Sequence, residues 1–358
     1  MRYFNMSQNP YTTNRKLFSH MSHVQNALDN KPMVPVCVEL HPTNVCNNKC
    51  PWCISQEYRL QQPNLHMDYT LIQKFLDDFK KNGGKSILWS GGGDPLQYRC
   101  YNSNAVFYDL ANHAQKHLLQ QALYTNGNIL FDDFLIDMIV NNFVFIRVSL
   151  DAFCDETYQI IRKSKHYSQT INNLHRLIDR RNSIKSNVTI GVSYLICPEN
   201  LNLLEEWLTD TPVDYIYFKP VTNTQNYISE NGLFEKASVI IEDYKRQYSG
   251  STNLIIPYNK INELKKCTEK KSYNKCYYHY FCPCIAPDGY VYTCCHMVGN
   301  DSFRLFHVNE WIDNKIAVNG SIDAKVMHDC LINCRADQIN ESIEDIALAL
   351  QIPHVNYL

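Results

Sequence analysis

The sequence predicts an α/β protein of six parallel strand–helix units followed by a smaller, cysteine-rich domain. Three observations carry that reading. Short β-rich runs alternate with amphipathic helical stretches from about residue 36 to about residue 220. Gly- and Asn-containing turns mark the joins between them. Beyond about residue 226 the alternation stops, and cysteines become dense.

Residues 1–35 form a polar, partly helical extension. Val36–Leu40 reads as the first strand. Tyr69–Lys81 reads as a helix with Leu71, Ile72, Phe75, Leu76 and Phe79 on one face, ended by Gly83-Gly84. The second strand is Ser86–Trp89. A helix over Ala105–His117 precedes the third strand, Gln121–Thr125. A helix over Asp132–Val140 precedes the fourth, Phe143–Leu150. The helix Thr170–Arg181 leads to the strand Val188–Ile196, and the helix Leu201–Leu208 to a sixth strand at Tyr215–Phe218. A charged helix, Phe234–Gln247, and a polar stretch rich in Lys, Asn and Tyr follow. Pro287-Asp288-Gly289 then turns the chain into the strand Tyr290–Cys294. The organisation expected is an extension at 1–35, a core at 36–225, a helical linker at 226–275, a cysteine-rich domain at 276–340 and a tail at 341–358.

Composition narrows the function. Of 358 residues, 45% are hydrophobic and 20% charged, as in an ordinary globular protein. A net charge of −2 gives no basic footprint for nucleic acid or an anionic membrane. No apolar run approaches the roughly 20 residues of a membrane span. Met1–Asn30 lacks the apolar segment of a secretory signal, so a cytoplasmic location is expected. Fifteen cysteines are many for packing alone, and they cluster: three at 46–53 and eight from Cys267 onward. An odd total in a long chain without a signal favours metal binding over disulfides.

Cys46, Cys50 and Cys53 follow the first strand, and the C-terminal ends of parallel strands are where ligands sit. Iron–sulfur clusters are held by cysteine thiolates, commonly four, so three would leave one iron open to another ligand. A buried helical stripe of cysteines is the plainer alternative, but Asn47, Asn48 and Pro51 suit a loop better. Zinc accepts similar spacings and would need a fourth ligand.

Cys46-x3-Cys50-x2-Cys53, with Trp52 before the last cysteine and Glu39-Leu40-His41-Pro42-Thr43-Asn44 before the first, resembles the loop of radical S-adenosylmethionine (SAM) enzymes. The resemblance runs over roughly residues 36–220. It implies that the strand–helix units curl into a partial (β/α)6 TIM-like barrel. It also implies a [4Fe-4S] cluster whose open iron chelates the amino and carboxylate groups of SAM, with Trp52 near the adenine. Ser90-Gly91-Gly92-Gly93-Asp94-Pro95 occupies the place of the family's Gly-Gly-Glu-type motif against the SAM amino group, with Asp94 where Glu is more usual. Ser149 and Asp151 match the segment that approaches the SAM ribose and carboxylate; Asp151 could instead cap the following helix. Asn126, Asn200 and Lys219, at later strand ends, would line the same mouth, although each is also an ordinary turn residue. A reduced flavodoxin- or ferredoxin-type donor would supply the electron.

Cys276-x12-Gly289-x4-Cys294 resembles the opening of the SPASM/twitch domain that follows many radical SAM cores. Cys330 and Cys334 would close a site for an auxiliary [4Fe-4S] cluster, with Cys282, Cys284 and Cys295 nearby as alternatives. A four-cysteine zinc site has similar spacing. The implied chemistry is hydrogen abstraction from a small polar molecule, such as an aminosugar, cyclitol or nucleoside, by a 5′-deoxyadenosyl radical. A ribosomally made peptide is the second substrate class, and a non-catalytic zinc scaffold the reading of another kind. If the outcome were epimerisation, Cys197 at the end of the fifth strand is the candidate hydrogen donor, against an ordinary packing role.

Overall fold

The computed structural model describes residues 14–130, 132–201, 212–220, 233–247, 250–257, 271, 273–314, 318, 322–323, 330 and 334–351. Strands β1 (Cys37–Leu40), β2 (Ser86–Trp89), β3 (Gln120–Thr125), β4 (Phe143–Ser149), β5 (Thr189–Ile196), β6 (Tyr215–Pro220) and β7 (Asn253–Ile255) pair in parallel, each with the next in sequence. The sheet stays open, because β1 is flanked by β2 and a C-terminal strand instead of β7. This is the expected partial barrel, with one strand more.

Seven helices introduced here lie along the first half of the chain: α1 (Met21–Leu28), α2 (Gln56–Gln61), α3 (Tyr69–Lys81), α4 (Phe107–Lys116), α5 (Asp133–Asn142), α6 (Asp155–Arg162) and α7 (Tyr167–Ile184). The α3 bounds agree with its apolar period. Asp68 caps its start by accepting from the Leu71 N–H (3.0 Å), and Lys80 and Lys81 stand in its last turn. Its buried face, Ile72, Phe75, Leu76 and Phe79, packs into the main core, with Trp311 edge-on to Phe75 at 5.2 Å.

Alternation along the strands divides the sheet into two chemistries. Val38, Leu40, Ile87, Trp89, Leu123, Ile146, Val148, Ile190, Val192, Ile216 and Phe218 join the helices in one apolar core. The intervening positions carry Glu39, Ser90, Tyr124, Arg147, Ser149, Ser193, Tyr217 and Lys219. On that face Arg147 lies over the Tyr124 ring at 3.7 Å and nears Tyr217 at 5.8 Å.

At the C-terminal side β8 (Lys275–Cys276) pairs with β12 (Ile322–Asp323). β9 (Cys284–Ile285) runs parallel to β1, and β10 (Tyr290–Tyr292) and β11 (Arg304–His307) continue the same sheet antiparallel. Gly289, at φ +81°, makes the β9–β10 turn foreseen at Pro287-Asp288-Gly289. Several elements had no counterpart in the sequence prediction, among them α2, α6, β7, β8, β9, β11 and β12. β7 has three residues in polar surroundings, and α6 is a short helix whose first turn carries Asp155 and Glu156. Beyond Leu201, the helix expected at Leu201–Leu208 lies outside the described residues.

The β2–α4 connection is pressed onto the loop after β1. The Gly93 N–H donates to Thr43 O (2.9 Å) and the Asp94 N–H to Val45 O (2.8 Å). A Cβ on Gly93 would land on the Val45 carbonyl. Gly93→Ala is therefore expected to cost about 1–3 kcal/mol, read as an earlier urea midpoint. An unchanged midpoint would show that the two loops are not in such contact.

Candidate cluster and cofactor site

The loop after β1 presents Cys46, Cys50 and Cys53, all partly buried. Each sulfur faces an N–H donor. The Asn48 N–H (3.5 Å) and Asn126 Nδ2 (3.7 Å) point at Cys46 Sγ. Arg162 Nη1 lies 3.5 Å from Cys50 Sγ, and Arg59 Nη1 3.9 Å from Cys53 Sγ. A neutral thiol is a weak acceptor, so donors and two guanidinium charges suit sulfur that carries negative charge. Burial, with Asp94 nearby, pushes the Cys46 thiol up to about 11, and burial raises Cys50 despite Arg162. Metal binding at these residues must therefore displace their protons.

Buried amides hold the loop. Asn126 Nδ2 donates to Asn47 Oδ1 (2.7 Å), and Asn128 Nδ2 to Asn48 Oδ1 (2.9 Å). The Tyr158 hydroxyl and the Thr170 hydroxyl both donate to Asn128 Oδ1. Arg162, at the end of α6, ties this loop to β4: its Nη2 lies 2.7 Å from Asp151 Oδ2, with both side chains buried. Burial opposes the Arg162 charge, but Asp151 and Cys50 outweigh it and hold the guanidinium above its usual range. Sequence reasoning missed Arg162 because it missed α6; the acidic first turn at Asp155-Glu156 was the available signal.

The other residues singled out fall into two groups. Asn126 and Asp94 stand against the cysteine loop. Asp94 accepts from the Thr125 hydroxyl (2.8 Å), the Asn126 N–H (2.6 Å) and the Leu96 N–H (3.0 Å). Gly91, Gly92 and Gly93 lead into it, and the close approach at Gly93 is to the cysteine loop itself. Asp151, at φ +61°, accepts from the Leu195 N–H (2.8 Å); Cys154, not Asp151, occupies the N-cap of α6. Trp52 packs with Cys197, Ile161 and Leu195, and its buried Nε1 has no hydrogen-bond partner among the described residues.

Further from the loop, Asn200 donates to Asp151 O (2.9 Å) and Leu195 O (2.7 Å) and accepts from the Cys197 N–H (2.9 Å), closing the β5 end. Ser149 Oγ accepts from Ser193 Oγ (3.3 Å), and Lys219 lies beside Leu195 in the β5–β6 register. Cys197 is fully buried, which raises its thiol well above the usual range.

A second constellation lies at the C-terminal side. Cys276, Cys294, Cys330 and Cys334 line one pocket, together with Tyr273, Tyr278 and Phe303. Asn340 Nδ2 lies 3.4 Å from Cys276 Sγ, and the Ala336 N–H 3.4 Å from Cys334 Sγ at the start of the helix Asp337–Ala349. Burial pushes Cys330 up to about 12 and Cys334 to about 11, with Lys271 opposing. Cys282, Cys284 and Cys295 do not line that pocket. They gather instead beside β1: Cys282 against Cys37, Cys284 Sγ 3.4 Å from His41 Nε2, and Cys295 Sγ 3.3 Å from Arg335 Nη1.

Arg335 follows Cys334 and crosses to β1, where its Nη2 lies 2.7 Å from Glu39 Oε2. The Ser90 hydroxyl donates to Glu39 Oε1 (2.7 Å), and Arg335 Nε donates to the Tyr278 hydroxyl (3.0 Å). Burial alone would raise the Glu39 carboxyl; Arg335, His41 and Ser90 together hold it well below the usual range.

Residues 40–209 match the protein family described as the Radical SAM superfamily. Two curated proteins are similar in sequence. The tungsten-containing aldehyde ferredoxin oxidoreductase cofactor-modifying protein of Pyrococcus furiosus is 25% identical over 64% of this chain and 64% of its own length. The dTDP-4-amino-4,6-dideoxy-D-glucose ammonia-lyase of Streptomyces venezuelae is 27% identical over 48% of this chain and 35% of its own. The chain thus spans less than two thirds of either relative. Solved structures share the fold: Streptococcus suis SuiB bound to precursor peptide SuiA has a TM-score of 0.58 at 14% identity, over 88% of this chain and 73% of that one. The anSMEcpe structure with AdoMet and the Cp18Cys peptide has a TM-score of 0.55 at 15% identity, over 77% and 78%.

Two expectations follow from the ion pairs. Arg162→Met leaves the Asp151 carboxylate buried and unpaired, at a cost of about 3–5 kcal/mol, and should lower the iron retained. Wild-type melting and iron content in that variant would remove the pair from any such role. The lowered Glu39 carboxyl adds stability that is present above its unfolded value of 4.5 and is lost as pH falls below it. Glu39→Gln should therefore lose less melting temperature than wild type between neutral pH and about pH 4.

Proposed function

Because the chain belongs to the radical SAM superfamily, we propose that it is an enzyme that cleaves SAM reductively and abstracts hydrogen from a small polar substrate. The observation that carries the proposal is the set of N–H donors, two of them guanidinium groups, aimed at all three sulfurs of the first loop. A second observation favours this reading over zinc. Four thiolates on one zinc stand about 4 Å apart, given a Zn–S bond of about 2.3 Å. Among the described residues, the one group of three His, Cys or carboxylate ligand atoms all within 4.8 Å of one another contains no cysteine.

In this reading Cys46, Cys50 and Cys53 hold a [4Fe-4S] cluster, and Cys276, Cys294, Cys330 and Cys334 an auxiliary one. Bound there, the clusters supply one-electron chemistry: release of a 5′-deoxyadenosyl radical from SAM at the first, and electron exchange with the substrate at the second. Arg59 and Arg162 stabilise the negative charge on the first site, and Asn48 and Asn126 fix its loop. The buried donors Trp52 Nε1 and Arg162 Nε, without partners among the described residues, would donate to SAM in this reading. Gly91, Gly92, Asp94, Ser149, Asp151, Asn200 and Lys219 complete the SAM and substrate contacts, directly or by fixing the strand ends. The resting electron comes from a reduced flavodoxin- or ferredoxin-type protein.

The polar face of the sheet argues for a polar substrate. Arg147, Tyr217, Ser193 and Lys219 offer charge and hydroxyls to an aminosugar, cyclitol or nucleoside, and the ammonia-lyase relative is named for a nucleotide-linked aminosugar. For an epimerisation, Cys197 would donate the hydrogen atom, and burial keeps that sulfur protonated.

Cys46→Ala, Cys50→Ala and Cys53→Ala should each abolish release of 5′-deoxyadenosine from SAM. Iron should number about eight per chain in the anaerobic holoprotein and about four in a Cys276→Ala/Cys334→Ala variant. A colourless protein with stoichiometric zinc would sink the proposal. Incubation with dTDP-aminosugars and, separately, with candidate precursor peptides, followed by mass spectrometry, decides the substrate class.

A further inference from the structure

Away from both cysteine sites, two helices on the outside of the sheet bring Asp77, His113 and His117 together. Asp77 Oδ1, on α3, lies 2.6 Å from His113 Nε2 and 2.9 Å from His117 Nε2. The three ligand atoms all lie within 4.8 Å of one another, and the two rings stand 4.9 Å apart, centroid to centroid. The histidines are one helical turn apart, so α4 and its C-cap point both the same way. The Gln73 side-chain amide, one turn before Asp77 on α3, sits 3.2 Å from His113 Nδ1 and fixes the ring from behind. Asp77 is 52% exposed and His117 35%, so an ion can enter from solvent.

We propose that Asp77, His113 and His117 bind one divalent transition-metal ion, of the Zn2+, Co2+ or Ni2+ type. Two imidazoles select for such ions over Mg2+ or Ca2+, and the carboxylate lends charge. Three protein ligands leave positions for water or a small donor on the side of the groove lined by Tyr69, Gln73, Asp109, Asn112 and Lys116. Without the ion, each imidazole donates Nε2–H to the shared Asp77 oxygen. With it, both Nε2 lone pairs turn to the metal and the ring protons move to Nδ1. At His113 the Gln73 amide then presents its oxygen in place of its nitrogen, a rotation that supplies the outer partner typical of a metal-bound histidine. The ion would clamp α3 to α4, the helices on either side of β2, and stabilise the fold by binding it and not the unfolded chain.

The test uses the cluster-loaded holoprotein, so that the cluster cysteines are occupied, with Zn2+ as the probe. After passage over a weak chelator, wild type should retain about one zinc per chain with its iron unchanged, and should melt several degrees higher with zinc than without. His113→Gln/His117→Gln should weaken zinc binding at least about tenfold and lose the rise in melting temperature. Asp77→Asn, which keeps both rings, should shift both readouts the same way. Equal zinc retention in wild type and the double variant would overturn the proposal. So would zinc gained only as iron is lost, or no zinc bound at micromolar concentration.

Discussion

The arrangement depends on β1 being paired along both edges. One neighbour, β2, belongs to the strand–helix units; the other, β9, comes from the C-terminal part of the chain. The His41 N–H donates to Ile285 O (2.9 Å) on one side, and the Ser90 N–H to Leu40 O (3.1 Å) on the other. A strand with both edges satisfied has no freedom to slip register, and a slip of one residue would swap its two faces. The loop that follows therefore starts from a fixed point. Only with that anchor can Asn48, Asn126, Arg59 and Arg162, drawn from separate elements, converge on three sulfurs.

The two faces of the sheet divide the tasks. Aliphatic and aromatic side chains on the helix-facing positions give the rigidity, while the opposite positions are free to carry charge. Charge on that face is not left loose: Glu39 meets Arg335, and Arg147 rests on Tyr124. Buried charges of this sort cost more than they return unless each is matched, so the matched pairs define where further polar groups can be accommodated.

Much of the barrel was legible because its signals are local. Six strands and the α3 helix announce themselves through apolar period, and the cysteine spacing announces its loop. The missing pieces were those whose justification is distant. β7 is three residues long, and its place comes from pairing with β6. α6 matters for Arg162, whose partners Cys50 and Asp151 lie on other elements, and no spacing rule links position 162 to position 50. Arg335 and Glu39 are further apart still. Among the cysteines, the resemblance to the SPASM/twitch spacing picked out the four that share a pocket, Cys276, Cys294, Cys330 and Cys334. It could not separate Cys282, Cys284 and Cys295 from them, because strand pairing sends those three toward β1 instead.

The Glu39–Arg335 contact has a consequence for how the chain becomes a protein. β1 is synthesised before β9 and Arg335, so one of its edges and the counter-charge of Glu39 arrive only later. Until then the nascent chain carries an open strand edge and a carboxylate with no cation to receive it. Contacts so remote in sequence form slowly, because a long loop must close before they repay it. The loop after β1 thus waits on β9 and Arg335 for a settled backbone. On the function proposed above, iron delivered during synthesis would meet a loop still in motion, and loading would follow the closure of β9 and Arg335 onto β1.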